Sequence, residues 1–158
     1  MAHSILTQEL VQSLFEYQDG ELFCLKKCSR LAKNSFKTKY KRTLINGKQY
    51  LIHRIIFIYH YGYLPKCVDH IDGNQLNNRI ENLREASFSQ NQHNSKKPIT
   101  NKSGIKGVSW QKSANKWFVS LKIQRKKIYF GLYKDIELAE LVAIEARSKY
   151  HGNFARHQ

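Results

Sequence analysis

The stretch VDHIDGNQLNNRIENLREASFSQNQHN, residues 68–94, holds more reactive side chains than a segment of its length needs in order to fold. It opens on an adjacent acid and imidazole, Asp69 and His70, and leads through a polar loop to Asn82 and Asn91. An isolated Asp-His pair in such a loop is usually a solvated turn. The spacing of all four residues, within a strand, a loop and a helix, is what favours a functional site here.

Hydrolysis of a phosphodiester makes demands that these residue types can meet. A base must deprotonate water, and an imidazole near its natural pKa is suited to that role. The charge on phosphorus and on the leaving oxygen must be offset, which a divalent ion can do. Mg²⁺ prefers oxygen ligands and keeps several waters, so one carboxylate and one amide carbonyl are enough protein ligands.

Local backbone geometry decides whether these side chains can meet. Asp69 and His70 end a predicted short strand, and they would point to opposite faces if the strand stayed regular. A break at residues 71–73 lets both approach one site. The helix predicted after the loop brings Asn91 within reach, and the Asn82 amide can both donate and accept hydrogen bonds that fix the loop.

The spacing resembles the HNH nuclease motif, also called the ββα-metal fold. Asn82 stands 12 positions after His70, and Asn91 stands 9 positions after Asn82. The wider run resembles the HNH homing endonucleases of phages and introns, and this likeness covers residues 43–94. The segments that carry it are residues 53–54, 69–74, 77–79 and 81–83.

The resemblance implies a role for each motif residue. His70 is the general base that acts on water, Asp69 and Asn91 hold one divalent metal, and Asn82 braces the loop. Asn91 occupies a position where many HNH nucleases have histidine. An Asp and Asn ligand pair favours a hard ion, Mg²⁺ or Mn²⁺, over Zn²⁺. His93 is the less favoured alternative ligand.

Several other polar residues of this region are open to two interpretations. Arg54, Arg79 and Arg84 are candidate phosphate clamps, but each is equally well a solvated surface charge. His53 is more simply a packing residue.

The chain beyond residue 95 changes character. KKPITNKSG, residues 96–104, is predicted to be a linker. Three alternating strands are then predicted over residues 106–111, 116–124 and 127–133, and a helix follows from residue 135 to residue 150. Helical spacing predicts that Leu138, Leu141, Val142, Glu145 and Ala146 face the sheet.

Strand alternation also predicts the sheet face that lies opposite the helix. Its Lys, Ser and Gln side chains, with two aromatic rings, suit DNA, because Lys binds phosphates and Gln or Ser can reach base edges. The residues predicted to bind DNA there are Lys106, Ser109, Gln111, Lys116, Phe118, Ser120, Lys122, Lys127 and Tyr129.

This sheet-and-helix unit resembles the DNA-binding domain of plant ethylene-response factors over residues 103–152. The likeness rests on segments such as Lys106-Gly107-Val108, Lys116-Trp117 and Tyr129-Phe130-Gly131. It implies that the sheet lies in the major groove, which is wide enough to admit it. The plant family has several Arg residues on this face. Lys lacks their bidentate fork, so we expect more backbone contact and looser sequence reading.

Overall charge favours a nucleic acid partner over an anionic membrane surface. The net charge is +15, and residues 96–158 contribute 14 basic and only 4 acidic side chains. Such a field attracts polyanions. The longest apolar stretch, residues 55–63, is too short to span a bilayer. Three cysteines form no disulfide framework and fit a reducing compartment, so we expect a cytoplasmic location in a bacterial host.

The sequence therefore predicts an α+β chain. A ββα-metal nuclease domain is expected over residues 1–95, a linker over 96–104, and a three-stranded antiparallel sheet packed on one helix over 105–158. We expect a monomer that cuts double-stranded DNA, binds no membrane and has no small-molecule substrate. The alternatives are a non-catalytic, sequence-selective DNA-binding regulator and a protein directed at RNA.

Three expectations concern the N-terminal region. Residues 6–17 are predicted to form one helix, and residues 27–42 a polar surface loop. A hairpin with an Asn46-Gly47 turn should follow, because this dipeptide suits the positive φ angles of a type I′ turn. Residues 53–61 should then form a buried helix that ends at Gly62.

Overall fold

The computed structural model describes residues 6–25, 29–32, 40–95, 97–124 and 126–157. The chain forms two compact units, residues 1–88 and 89–158. Both combine helices with small antiparallel sheets. The α+β class predicted from the sequence is confirmed at this level.

The first unit begins with a short helix and a hairpin rather than one long helix. Helix α1 spans Gln8–Leu14, and strands β1 (Phe15–Gln18) and β2 (Glu21–Cys24) pair antiparallel. The predicted helix over residues 6–17 is therefore wrong beyond Leu14. Asp19 and Gly20 adopt positive φ angles and reverse the chain, which brings the fully buried Phe15 into the hairpin.

A three-stranded sheet follows, in the order β3-β4-β5. It consists of β3 (Ser29–Ala32), β4 (Arg42–Ile45) and β5 (Lys48–Leu51). The Asn46-Gly47 turn is confirmed, with φ angles of 49° and 77°. The predicted loop over residues 27–42 is wrong where β3 pairs with β4. Residues 40 and 41 lie outside the strands, as predicted, and residues 27–28 and 33–39 lie outside the described residues.

The core of the first unit surrounds helix α2 (Ile52–Tyr61), which carries buried Ile55, Ile56 and Ile58. The helix ends at Gly62 in the left-handed conformation, as its sequence predicts. Strands β6 (Cys67–His70) and β7 (Leu83–Ala86) then form a two-stranded antiparallel sheet. A short 3₁₀ turn, Ile80–Asn82, leads from the intervening loop into β7.

Helix α3 (Phe88–His93) begins where the two units meet along the chain. The second unit then forms a sheet in the order β10-β9-β8, from β8 (Val108–Gln111), β9 (Lys116–Ile123) and β10 (Lys126–Tyr133). Helix α4 (Ile136–His151) packs on this sheet. The three predicted strands and the helix are thus present.

The face that α4 turns to the sheet matches the prediction only in part. Ala146 is buried and Val142 packs against the core, as predicted. Leu138 and Leu141 are instead 47% and 64% exposed, whereas Ala139 and Ala143 are buried. Alanine lets the helix approach the sheet closely, and Val119 fills the space beneath it. The helical spacing of the leucines was therefore a misleading signal for the core.

No helix among the described residues has both the length and the apolar character needed to cross a membrane.

Candidate active site

Asp69 and His70 are the last two residues of β6, and both side chains are buried with 4% exposure. In the β6–β7 pair, Asp69 lies opposite Arg84 and His70 opposite Leu83. A carboxylate and an imidazole in such a dry position need polar partners, because an unpaired buried polar group is costly. Among the described residues, Arg84 of β7 and Asn78 of the loop between the strands provide such partners.

Arg84 holds the carboxylate of Asp69. Its Nε and Nη2 atoms lie 2.9 Å and 2.8 Å from Oδ2 of Asp69. This two-point contact compensates the buried negative charge and fixes the orientation of the carboxylate. Arg84, a candidate phosphate clamp from the sequence, is instead placed as the ion-pair partner of Asp69.

His70 is held by an asparagine and by two rings. Its Nε2 lies 3.0 Å from Oδ1 of Asn78, a residue that is 2% exposed. The His53 ring meets the His70 ring edge-on at a centroid distance of 5.0 Å, and the Tyr40 ring lies 6.1 Å away. His70 thus sits in a tight, partly aromatic enclosure.

His53 contributes a neutral ring to this enclosure. Burial, with smaller contributions from His70 and Arg54, lowers the pKa of His53 to about 3. Burial also raises the pKa of Tyr40, with further contributions from Cys67 and Asp69. Both side chains therefore stay uncharged near neutral pH beside His70.

Asn82 braces the loop between β6 and β7. Its Oδ1 accepts from the backbone N–H of Asp72 at 3.0 Å, and its Nδ2 donates to Oδ1 of Asp72 at 3.0 Å and to the Asn77 carbonyl at 2.8 Å. The Asn82 carbonyl also accepts from the N–H of Ile71 at 2.9 Å. One side chain thereby joins both ends of the loop.

Asp72 is the acidic centre of this network. Burial works to raise its pKa, but hydrogen bonds from Asn77, Asn74 and Asn82 outweigh that effect and hold the pKa below its ordinary value. Asn77 Nδ2 donates to Oδ2 of Asp72 at 2.8 Å. The charged Asp72 therefore strengthens the loop at neutral pH.

Asn91 and His93 lie on α3, within the second unit. The His93 ring stacks on His151 at 3.7 Å and 7°. The position of Asn91 relative to the Asp69–His70 pair stays a prediction.

Lys106 is engaged at the end of α3. Its ammonium donates to the carbonyls of His93 and Ser95, and burial, with the charges of Arg147 and Arg156, lowers its pKa to about 8. It was predicted on the outer sheet face, but its ammonium binds the carbonyl of the last helix residue, His93, and that of Ser95 just beyond the helix.

The other sheet residues predicted to bind DNA follow the expected alternation. Phe118 stacks on Tyr129 at 5.2 Å, and the Lys127 ammonium lies 4.8 Å from the Phe118 ring centre. The cross-strand pairs Ser109↔Phe118, Gln111↔Lys116, Ser120↔Tyr129 and Lys122↔Lys127 place all eight residues on one face. The strand has a bulge between Tyr129 and Gly131, and Phe130 packs near Tyr150 of the helix.

The remaining candidates are Arg54 and Arg79. The Arg54 guanidinium lies against the carbonyls of Pro65 and Lys66 at 3.5 Å and 3.4 Å. Arg79 is exposed, directly before the 3₁₀ turn. Their contact with phosphate stays a prediction.

Sequence reasoning missed the roles of Arg84 and Asn78. It treated Arg84 as an isolated charge and Asn78 as a turn former. The pairing of β6 with β7 would have placed Arg84 opposite Asp69, but the strand register could not be derived without the turn geometry of the loop. No local signal distinguishes Asn78 from the other loop asparagines.

Comparisons with known proteins match the segment that carries these residues. Residues 50–93 match the HNH endonuclease family. The chain is 40% identical over 99 residues to Protein 3.8 of Escherichia phage T7, an alignment that covers 60% of this chain and 79% of that protein. No solved structure matches. The chain therefore belongs to the family of phage T7 Protein 3.8 and carries an HNH endonuclease domain, which indicates endonuclease activity on nucleic acid.

Proposed function

We propose that this protein is a metal-dependent DNA endonuclease of the homing type, in which β6, β7 and α3 form a ββα-metal site. The observation that carries this proposal is the buried Asp69–His70 pair at the end of β6. Arg84 orients the acid, Asn78 contacts the imidazole, and Asn82 braces the adjoining loop.

The available donors fit one hard divalent cation. The carboxylate of Asp69 and the amide oxygen of Asn91 would hold Mg²⁺ or Mn²⁺, which prefer oxygen ligands and retain waters. The ion would offset the charge that develops on the phosphate and on the leaving oxygen. Arg84 would keep the carboxylate of Asp69 in a fixed orientation for this purpose.

His70 would act on the attacking water. An imidazole in a water-poor position can accept a proton from a water molecule held against the scissile phosphate. The contacts of His70 with His53 and Tyr40 restrict its ring. A ring with few accessible orientations loses little freedom when substrate binds, which favours the reactive geometry.

The second unit would position the enzyme on DNA through the outer face of its sheet, in the manner of the ethylene-response-factor domain. The Phe118–Tyr129 stack with Lys127 above it gives an amphipathic surface that can contact sugars and bases. Serine, glutamine and lysine side chains surround this stack. Lys106 is left out of this surface because its ammonium binds carbonyls of its own unit. This proposal keeps the bounds predicted above for the nuclease domain, the linker and the sheet domain. It also keeps the predicted monomeric state.

Incubation of supercoiled plasmid with the full chain tests the catalytic proposal. Nicked or linear product should appear with Mg²⁺ or Mn²⁺ and should disappear when EDTA is added, because one bound ion offsets the charge on the phosphate. A selective gel shift with no cleavage under either metal would contradict the proposal and favour the non-catalytic regulator. Preferential cutting of RNA in competition with duplex DNA would contradict the proposal that DNA is the substrate.

A lysine substitution tests the sheet surface. We expect Lys122→Ala to weaken binding to duplex DNA and to make the slope of log Kobs against log [salt] shallower by about 1, since one phosphate contact is lost. Lys149→Ala is the matched control, because Lys149 lies on α4 at the opposite side of the sheet. Titrations at several salt concentrations measure both. Equal slopes for the two variants would show that Lys122 makes no contact with a DNA phosphate.

A further inference from the structure

Asn78 differs from the other asparagines of the β6–β7 loop. The side chains of Asn74 and Asn77 serve the loop itself, where their Oδ1 atoms accept from the backbone N–H groups of Leu76 and Arg79. Asn78 is buried, and its Oδ1 meets Nε2 of His70 at 3.0 Å. Its contact is therefore directed at the candidate base rather than at a turn.

The chemistry of this contact determines where the imidazole carries its proton. An amide oxygen can only accept a hydrogen bond. In a 3.0 Å contact with Asn78 Oδ1, Nε2 of His70 must therefore be the donor. A neutral imidazole protonated on Nε2 has its lone pair on Nδ1, and Nδ1 is then the nitrogen that can accept another proton.

We propose that Asn78 is a positioning residue that fixes neutral His70 as the Nε2–H tautomer, so that Nδ1 takes the proton from the attacking water. The part that concerns water rests on the proposed nuclease function, whereas the tautomer is a property of the free protein. The proton leaves water for Nδ1 of His70, and the resulting hydroxide forms a bond to phosphorus as the bond from phosphorus to the leaving sugar oxygen breaks. That oxygen takes a proton from solvent, and Nε2 keeps its hydrogen bond to Asn78 throughout.

The surroundings support a positioning role. The edge-on contact of His53 with His70 limits rotation of the His70 ring, and the bond to Asn78 fixes the role of its Nε2. The Nδ2 of Asn78 is buried without a hydrogen-bond partner among the described residues. An amide whose two N–H donors are unmet is a poor choice for packing alone, which points to a use for its oxygen.

The direct test is the tautomer of His70 in the metal-free, full-length protein. Long-range ¹H–¹⁵N correlation spectra of histidine-labelled protein, recorded where the ring is neutral, show which nitrogen is protonated. His70→Gln assigns the signal. We expect Nε2–H in the wild type and in Asn78→Asp, which keeps an acceptor oxygen. Asn78→Leu should shift the ring toward Nδ1–H, whereas Asn74→Ser should leave it unchanged.

Nicking kinetics then connect the tautomer to function. Asn78→Leu should lower kcat by about 10- to 100-fold, the usual effect of losing a partner that orients a reactive group, with KM little changed. A wild-type ring protonated on Nδ1, or an unchanged tautomer in folded Asn78→Leu, would overturn the proposal. The wild-type spectrum tests the proposed tautomer of His70 even if that variant fails to fold. The expected tautomer in a protein that cuts no DNA would overturn the nuclease function and leave the role of Asn78 in place.

Discussion

Replacing His70 with alanine should abolish metal-dependent nicking of plasmid DNA, with a rate loss of about 10²- to 10⁴-fold, the usual contribution of a general base. The imidazole is buried at the end of β6 and is held by Asn78 and His53. Water cannot easily replace a base in so enclosed a position. Single-turnover nicking assays at saturating Mg²⁺ measure the chemical step directly.

The matched control for this substitution is His60→Ala. His60 lies in the last turn of α2 in the same unit, and its ring packs against Tyr17 rather than against the β6–β7 pair. The control should cut at a rate close to that of the wild type, and circular dichroism should show that both variants are folded. If His70→Ala cut as fast as His60→Ala, His70 could not be the general base.

Asn82→Ala should destabilise the first unit by about 2–4 kcal/mol, because three side-chain hydrogen bonds are lost and two of them involve the Asp72 carboxylate or its backbone. Nicking should fall as well, since the loop begins directly after His70. Hydrogen exchange of the β6 and β7 amides measures the local free energy of opening.

Two comparisons make the Asn82 result specific. Asn74→Ala removes one exposed hydrogen bond of 3.2 Å and should cost much less stability. Both tryptophans, Trp110 and Trp117, lie in the second unit, so their fluorescence follows that unit as an internal control. Equal protection of β6 and β7 in the two variants would contradict the bracing role of Asn82.

The parts of the fold that the sequence predicts well have strong local signals. The Asn46-Gly47 turn requires positive φ angles, and Gly62 ends α2 for the same backbone reason. Alternation along β9 identifies its buried side, with Val119 and Leu121 beneath α4. In each case a few neighbouring residues contain the physical cause.

The parts that were mispredicted depend on distant partners. Strand β3 forms because β4 supplies its hydrogen bonds, and its polar sequence alone indicates a loop. On α4, two overlapping stripes fit helical spacing, and the sheet selects the alanine stripe because it permits close approach. Leu138 and Leu141 have the stronger hydrophobic signal but remain exposed.

The residues of the candidate site also differ in whether local sequence predicts them. Asp69, His70 and Asn82 were found from local spacing within one segment. Arg84 and Asn78 become partners only when β6 pairs with β7 and the loop closes over the imidazole. The residues proposed to act on water or metal can thus be predicted from local sequence, whereas the residues that contact them are known only from the fold.

The ammonium of Lys106 has a consequence for any attempt to isolate the nuclease part. It binds the carbonyls of His93 and Ser95 and so places a positive charge at the carboxyl end of the helix that carries Asn91. A cation there offsets the negative end of the helix dipole. A fragment truncated at residue 95 would include the whole HNH motif but would lack the Lys106 ammonium at that helix end. The shortest stable catalytic fragment should therefore extend at least to Lys106.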